Sequence, residues 1–189
     1  MYPTTSFKKG LRIEIDKEPY EIIDFQHVKP GKGGAFVRTK LKSLISGKVI
    51  DKTLRAGEKV GIPDIEEKNM QYLYAEGDSF IFMDNETYDQ INIDKESSAE
   101  SADFLLENIQ VNILYYNGKP ININVPNFIN MKIIRTEPGL RGDTVSGSNK
   151  PAVLETGLVI NVPLFLNEGD MIKVDTRTKS YIERVNSKQ

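Results

Sequence analysis

The 189-residue chain has no cysteine and a single histidine, His27. Without cysteine there is no disulfide, no thiolate nucleophile and no thiolate metal site. One histidine excludes a two-histidine metal centre. A serine–histidine–acid triad would depend on His27, which stands beside a glycine-rich turn and away from any nucleophile-elbow motif. Glycine clusters occur at Gly57–Gly61 and Gly139–Thr144, but neither matches a phosphate-cradling loop or a dinucleotide fingerprint. No apolar run is long enough to span a bilayer. The N-terminus, Met1 to Lys9, lacks the apolar stretch of a secretory signal. There is no low-complexity tract and no clear internal repeat. These absences leave a soluble globular protein, compatible with a reducing, cytoplasmic setting, with no catalytic constellation, no metal site and no cofactor motif.

Charge is present on both sides but segregated. Residues 1–64 carry 13 Lys+Arg against 8 Asp+Glu, residues 65–127 carry 3 against 12, and residues 128–189 carry 9 against 7. The net charge of −2 conceals this division. Between residues 29 and 59 the basic side chains are opposed only by Asp51 and Glu58. A basic block beside an acidic one suggests a polyanionic partner touched at selected places, or more plainly a solvated charged surface. Arg38, Lys40 and Lys42 recur at period two, so a strand would set them on one face as a cationic strip. Together with Lys29 they are the candidate contacts to an RNA backbone.

Nearly all of the chain reads as short strands. Leu11–Ile15 and Ile121–Val125 alternate at period two, Val111–Ile113 begins the same way, and Phe80–Met83 is apolar throughout, as in a strand buried on both faces. Turn residues punctuate them at Asp16–Pro19, Ser46–Lys48, Glu76–Asp78, Asn117–Pro120 and Asn167–Asp170. One helix is expected, Ser101 to Asn108, with Ser101 as its cap and Ala102, Phe104 and Leu105 on its apolar side. Strand runs and composition both break near Asp64 and Asn127. The result is three domains, 1–64, 65–127 and 128–189, each near the lower size limit for an independent core. Five-stranded oligonucleotide-binding (OB) barrels suit the last two.

The stretch His27-Val28-Lys29-Pro30-Gly31-Lys32-Gly33-Gly34-Ala35-Phe36 is the most informative. Strand-like runs flank it, Tyr20–Val28 before and Ala35–Ile45 after. Pro30 fixes its own φ, and the glycines Gly31, Gly33 and Gly34 reach φ values costly for other residues. This is the chemistry of a tight hairpin, with one long cation, Lys32, at its apex. A turn does not need lysine at its tip, so Lys32 is either an ordinary solvated turn residue or the working end of the hairpin.

The segment Lys150 to Gly169 (KPAVLETGLVINVPLFLNEG) resembles the signature of bacterial translation elongation factor P. Its fixed positions are filled by Lys150, Ala152, Gly157, Ile160, Val162, Pro163, Leu166 and Gly169. The resemblance extends to the KPGKGGAF tip, to GDSFIFMDNETYDQ at 77–90, to GDTVSGSNKPA at 142–152 and to VDTRTKSYIERV at 174–185. It implies an all-β protein of three small barrels, an N-terminal SH3-like or KOW-type barrel followed by two OB-fold domains, arranged like an L-shaped tRNA. It implies a non-enzymatic, monomeric factor that binds the ribosome between the peptidyl-tRNA and exit sites and relieves stalling at consecutive prolines. The implied partners are peptidyl-tRNA (prolyl and initiator tRNA), mRNA and a synthetase-like ligase that modifies the tip lysine. Lys32 falls on the modified tip position, and its KPGKG setting is similar to the β-lysylated branch; an aminopentanol-type modification is the second possibility. Gly142, Asp143, Thr144 and Gly147 match the family loop that approaches the exit-site codon. Tyr181 and Arg184 match a tyrosine and an arginine implicated in contacts with the tRNA body, although a strand tyrosine and a surface ion pair are their plainer readings. A paralogous elongation-factor-P-like protein and a tRNA-mimicking interaction module remain the alternatives.

Overall fold

A computed structural model of the chain describes residues 1–138 and 149–185. In order, the strands are β1 (Tyr2–Pro3), β2 (Arg12–Ile15), β3 (Glu18–Val28), β4 (Phe36–Ser43), β5 (Val49–Arg55), β6 (Lys59–Val60), β7 (Ile65–Glu76), β8 (Ser79–Asp84), β9 (Gln90–Asp94), β10 (Gln110–Tyr116), β11 (Lys119–Asn124), β12 (Phe128–Thr136), β13 (Asn149–Leu154), β14 (Val159–Pro163), β15 (Met171–Asp175) and β16 (Ser180–Arg184). The fold is all-β, as the strand pattern predicts. Two compact units emerge: residues 1–68 with 113–122, and residues 69–112 with 123–189.

In the first unit, strands β2-β3-β4-β5 form an antiparallel sheet and β1 pairs with β6. On β4 the alternation is complete: Val37, Thr39, Leu41 and Ser43 are buried, while Arg38, Lys40 and Lys42 are exposed. Thr39 is tolerated inside because its hydroxyl donates to the Lys52 carbonyl at 2.7 Å. A bulge interrupts β3, where Ile22 faces Leu41 and Asp24 faces Lys40. The extra residue, Ile23, reverses the side-chain parity. Ile22 and Phe25 therefore both face the core, and Asp24 and Gln26 stay on the open face. The core consists of Phe7, Ile13, Ile15, Ile22, Val37, Leu41, Leu54 and Val60.

The two five-stranded sheets have one topology. The orders β11-β10-β7-β8-β9 and β14-β13-β12-β15-β16 both put the first strand at the centre, a meander on one side and the last two strands on the other. This order is that of OB-type barrels, and it repeats although the sequence shows no repeat. The unit boundary passes through the first of these sheets. In it, Phe80, Ile81 and Phe82 of β8 are buried, as expected of a strand covered on both faces, whereas Met83, expected with them, is only half-buried. The second is built on Ile129, Met131, Ile133, Ala152, Leu154, Ile160, Val162, Leu166, Ile172 and Val174.

The helix differs from expectation. Its single α-turn is Ala99–Ala102, preceded by a 3₁₀ turn at Glu96–Ser98. Ser101 lies inside it and caps nothing; its buried hydroxyl donates to the Ile123 carbonyl at 2.8 Å. Phe104 and Leu105 come after the helix, and Phe104 inserts into the core of the β12–β16 sheet. Apolar burial at a chain crossing produced the pattern that resembled a helix face.

Candidate tip loop and RNA-facing strand

Val28 pairs with Phe36, so seven residues, Lys29 to Ala35, connect β3 to β4. The connection is a loop rather than the tight turn expected from its composition. Only Gly33 takes a left-handed conformation, at φ +106°, and a Cβ there would lie 3.9 Å from the Pro30 ring. Gly31 and Gly34 have nothing within 4 Å of a Cβ position, so they leave the apex bare. The loop base is closed by the Val28–Phe36 pair and by Ala56 N–H donating to the Ala35 carbonyl at 3.0 Å. Lys29 and Lys32 are both exposed. Among the described residues no hydrogen bond or ion pair engages Lys32, whose ammonium is free for an external partner.

The register decides what the cationic strip offers. Arg38 is flanked across the sheet by Gln26 and Thr53, both uncharged, and its guanidinium carbon sits 5.6 Å from the Phe36 ring centroid. Lys40 lies between Asp24 and Asp51, and Lys42 beside Glu21. Asp24 also pairs with Lys9 at 2.9 Å, which holds its carboxyl below the ordinary carboxylate range, with a smaller contribution from Lys40. The strip is thus cationic toward the tip and compensated away from it. Phe36 was missed by sequence reasoning, although its position two residues before Arg38 puts it on the same face. The flanking carboxylates were not legible without the register.

In the second unit, Tyr181 is half-buried against the β12–β16 core. With Asn149, Asn161, Pro163, Lys179 and Ser180 it lines a recess of about 300 Å³. Arg184 pairs with Asp170 at 2.8 Å. Both plainer readings therefore describe real contacts, yet each side chain keeps an outward part. Gly142, Asp143, Thr144 and Gly147 lie outside the described residues. Asp175 and Arg177 form a bidentate pair, which lowers the Asp175 carboxyl to about 2. Among the described residues no group of histidine and acidic side chains is arranged to hold a metal ion.

Comparison with known proteins decides the family. Residues 3–60 match the family model described as the elongation factor P (EF-P) KOW-like domain, residues 65–123 the EF-P OB domain, and residues 129–184 the elongation factor P C-terminal domain. The chain is 56% identical over 184 residues to elongation factor P of Nitratidesulfovibrio vulgaris, covering 97% of this chain and 100% of that one. Against elongation factor P of Natranaerobius thermophilus it is 53% identical over 185 residues, 98% of each. The chain belongs to the elongation factor P family. It is a translation elongation factor, and its all-β architecture is the family's. Among solved structures, the protein titled eukaryotic translation initiation factor 5A from Methanococcus jannaschii aligns with a TM-score of 0.52 at 26% identity, over 66% of this chain and 90% of that one. No helix among the described residues is long and apolar enough to cross a membrane.

Proposed function

We propose that this elongation factor P family member binds the ribosome between the peptidyl-tRNA and exit sites and relieves stalling at consecutive prolines. The observation that carries the reading is the free, exposed Lys32 at the apex of a loop left bare by Gly31 and Gly34 and turned at Gly33. Lys32 reaches toward the peptidyl-transferase centre and steadies the CCA end of peptidyl-tRNA, prolyl or initiator. Proline's ring restricts the geometry of attack, so a factor that supplies orientation lowers the barrier without a base of its own; well-oriented reactants can gain several kcal/mol.

In this reading Lys29 and Arg38, with smaller contributions from Lys40 and Lys42, hold RNA phosphates through charge. Tyr181 and Arg184 touch the tRNA body, and Gly142, Asp143, Thr144 and Gly147 approach the exit-site codon of the mRNA. Three domains, 1–64, 65–127 and 128–189, carry these contacts in a cytoplasmic monomer. A synthetase-like ligase extends Lys32, whose bare surroundings suit enzymatic access.

The test is reconstituted translation of a triproline reporter beside a proline-free control. Lys32→Ala and Lys32→Arg are expected to lose the triproline gain and leave the control unchanged, since arginine keeps the charge but not the amine that is acylated. Full triproline activity from Lys32→Ala would overturn the proposal.

A further inference from the structure

Two two-residue turns meet in the first unit. Asp16 and Lys17 join β2 to β3 with φ +54° and +64°, and Asn117 and Gly118 join β10 to β11 with φ +48° and +74°. Positive φ at both positions is the type I′ geometry of tight hairpins, to which Asn-Gly is suited and Asp-Lys is not. The Asp-Lys turn is held by outside contacts. Asp16 accepts from Lys52 Nζ at 2.7 Å, and the Lys17 carbonyl lies 3.1 Å from the hydroxyl of Tyr116.

Tyr116 immediately precedes the second turn, and its hydroxyl donates to Glu14 Oε2 at 2.8 Å. Burial and this carboxylate together raise the tyrosine above its ordinary value. Glu14 is itself gripped from behind. Its N–H donates to the Gly61 carbonyl at 3.0 Å and its carbonyl accepts from Gly61 N–H at 2.9 Å. A Cβ on Gly61 would stand 2.9 Å from Glu14 Cβ, so only glycine permits this approach. Asn117 N–H donates to the Asp64 carbonyl at 3.0 Å, and Arg12 pairs with Glu67 at 2.5 Å. The ion pair is exposed and contributes little; the half-buried tyrosine is the directional contact.

These bonds span the interval between the segments matched by the KOW-like and OB family models, which end and begin at residues 60 and 65. We propose that Tyr116 is a positioning residue: its hydroxyl latches the β10–β11 hairpin to Glu14 of the Lys32-bearing sheet, so that sheet and hairpin move as one body and the tip loop is presented in a fixed direction. This rests on the proposed role of Lys32, because orientation at the tip requires that its base not swing.

The absence of cysteine allows a clean test. Thr53→Cys on β5 and Lys119→Cys at the start of β11 place two spin labels on exposed positions, and pulsed electron resonance reads their distance distribution. The parent should give one narrow distribution. Tyr116→Phe, which keeps the ring, should broaden it without loss of folded structure, and Glu14→Gln, which still accepts the hydroxyl proton, should leave it narrow. An unchanged width in Tyr116→Phe would overturn the latch. In unlabelled protein at saturating concentration, Tyr116→Phe should lose part of the triproline gain severalfold while ribosome affinity holds. Broadening with full activity, in a system where Lys32→Ala is inactive, would overturn the positioning role. If Lys32→Ala is also active, the functional reading fails, and the distance widths alone decide whether the latch exists.

Discussion

Arg38 and Lys40 stand two residues apart on one exposed strand face, yet they should contribute unequally to RNA binding. Lys40 is flanked by Asp24, which Lys9 also contacts, and by Asp51, so its charge is compensated across the sheet, whereas Arg38 is flanked by the uncharged Gln26 and Thr53. Each phosphate neutralised by a cation changes the slope of log K against log salt by about 0.7–0.9. Arg38→Ala should flatten the slope of ribosome affinity by about that amount, so between roughly 50 and 200 mM salt the variant should lose about threefold less affinity than the parent. Lys40→Ala should flatten it by less than half as much, because a compensated lysine releases fewer counterions. The triple alanine variant of Arg38, Lys40 and Lys42 should therefore differ from Arg38→Ala only modestly. The assay is equilibrium binding of labelled factor to ribosomes across a salt series. Equal slope changes for Arg38→Ala and Lys40→Ala would refute the claim that cross-strand carboxylates govern the strip.

Two further outcomes follow from packing and charge. Met131 is fully buried in the β12–β16 core; Met131→Ala should destabilise the protein by about 2–5 kcal/mol in chemical denaturation, and a loss below 1 kcal/mol would mean that the core collapses around the deletion. The Asp175 carboxyl, lowered from 3.8 to about 2 by Arg177, stabilises the fold fully above its unfolded value and loses that contribution as pH falls toward 2. Arg177→Met keeps an apolar stem against the Phe128 ring, so its deficit in melting temperature should be constant above pH 5 and shrink between pH 4 and 2; a deficit that persists undiminished at pH 2 would assign the effect to packing.

Much of this molecule was legible in residue order because its strands alternate cleanly. β4 buries every second residue, and Phe80 to Phe82 is apolar because both faces are covered. The β3–β4 connection was legible because proline and glycines between two strand-like runs mark a reversal of the chain, though its seven-residue span was not, since composition does not count loop residues. The helix at Ser101–Asn108 misled because local periodicity cannot distinguish a helix face from side chains bound for another core, as with Phe104. Nor could spacing reveal that Lys40 faces Asp24: the Ile23 bulge sets that pairing, and a one-residue bulge exchanges the faces of every later side chain. The contacts around Tyr116 join residues about a hundred positions apart, beyond the reach of any local pattern.

In the function proposed above, Lys32 orients peptidyl-tRNA and does not merely help the factor bind. The most direct measurement is the single-turnover rate of proline–proline bond formation on the ribosome, by rapid quench, across factor concentrations. Lys32→Ala should show an unchanged melting temperature, because an exposed side chain contributes little packing, a half-saturating concentration close to the parent's, and a rate at saturation that falls toward that of the factor-free ribosome. A variant that recovers the parent's rate once enough factor is added would show that Lys32 serves affinity alone and does not orient the tRNA.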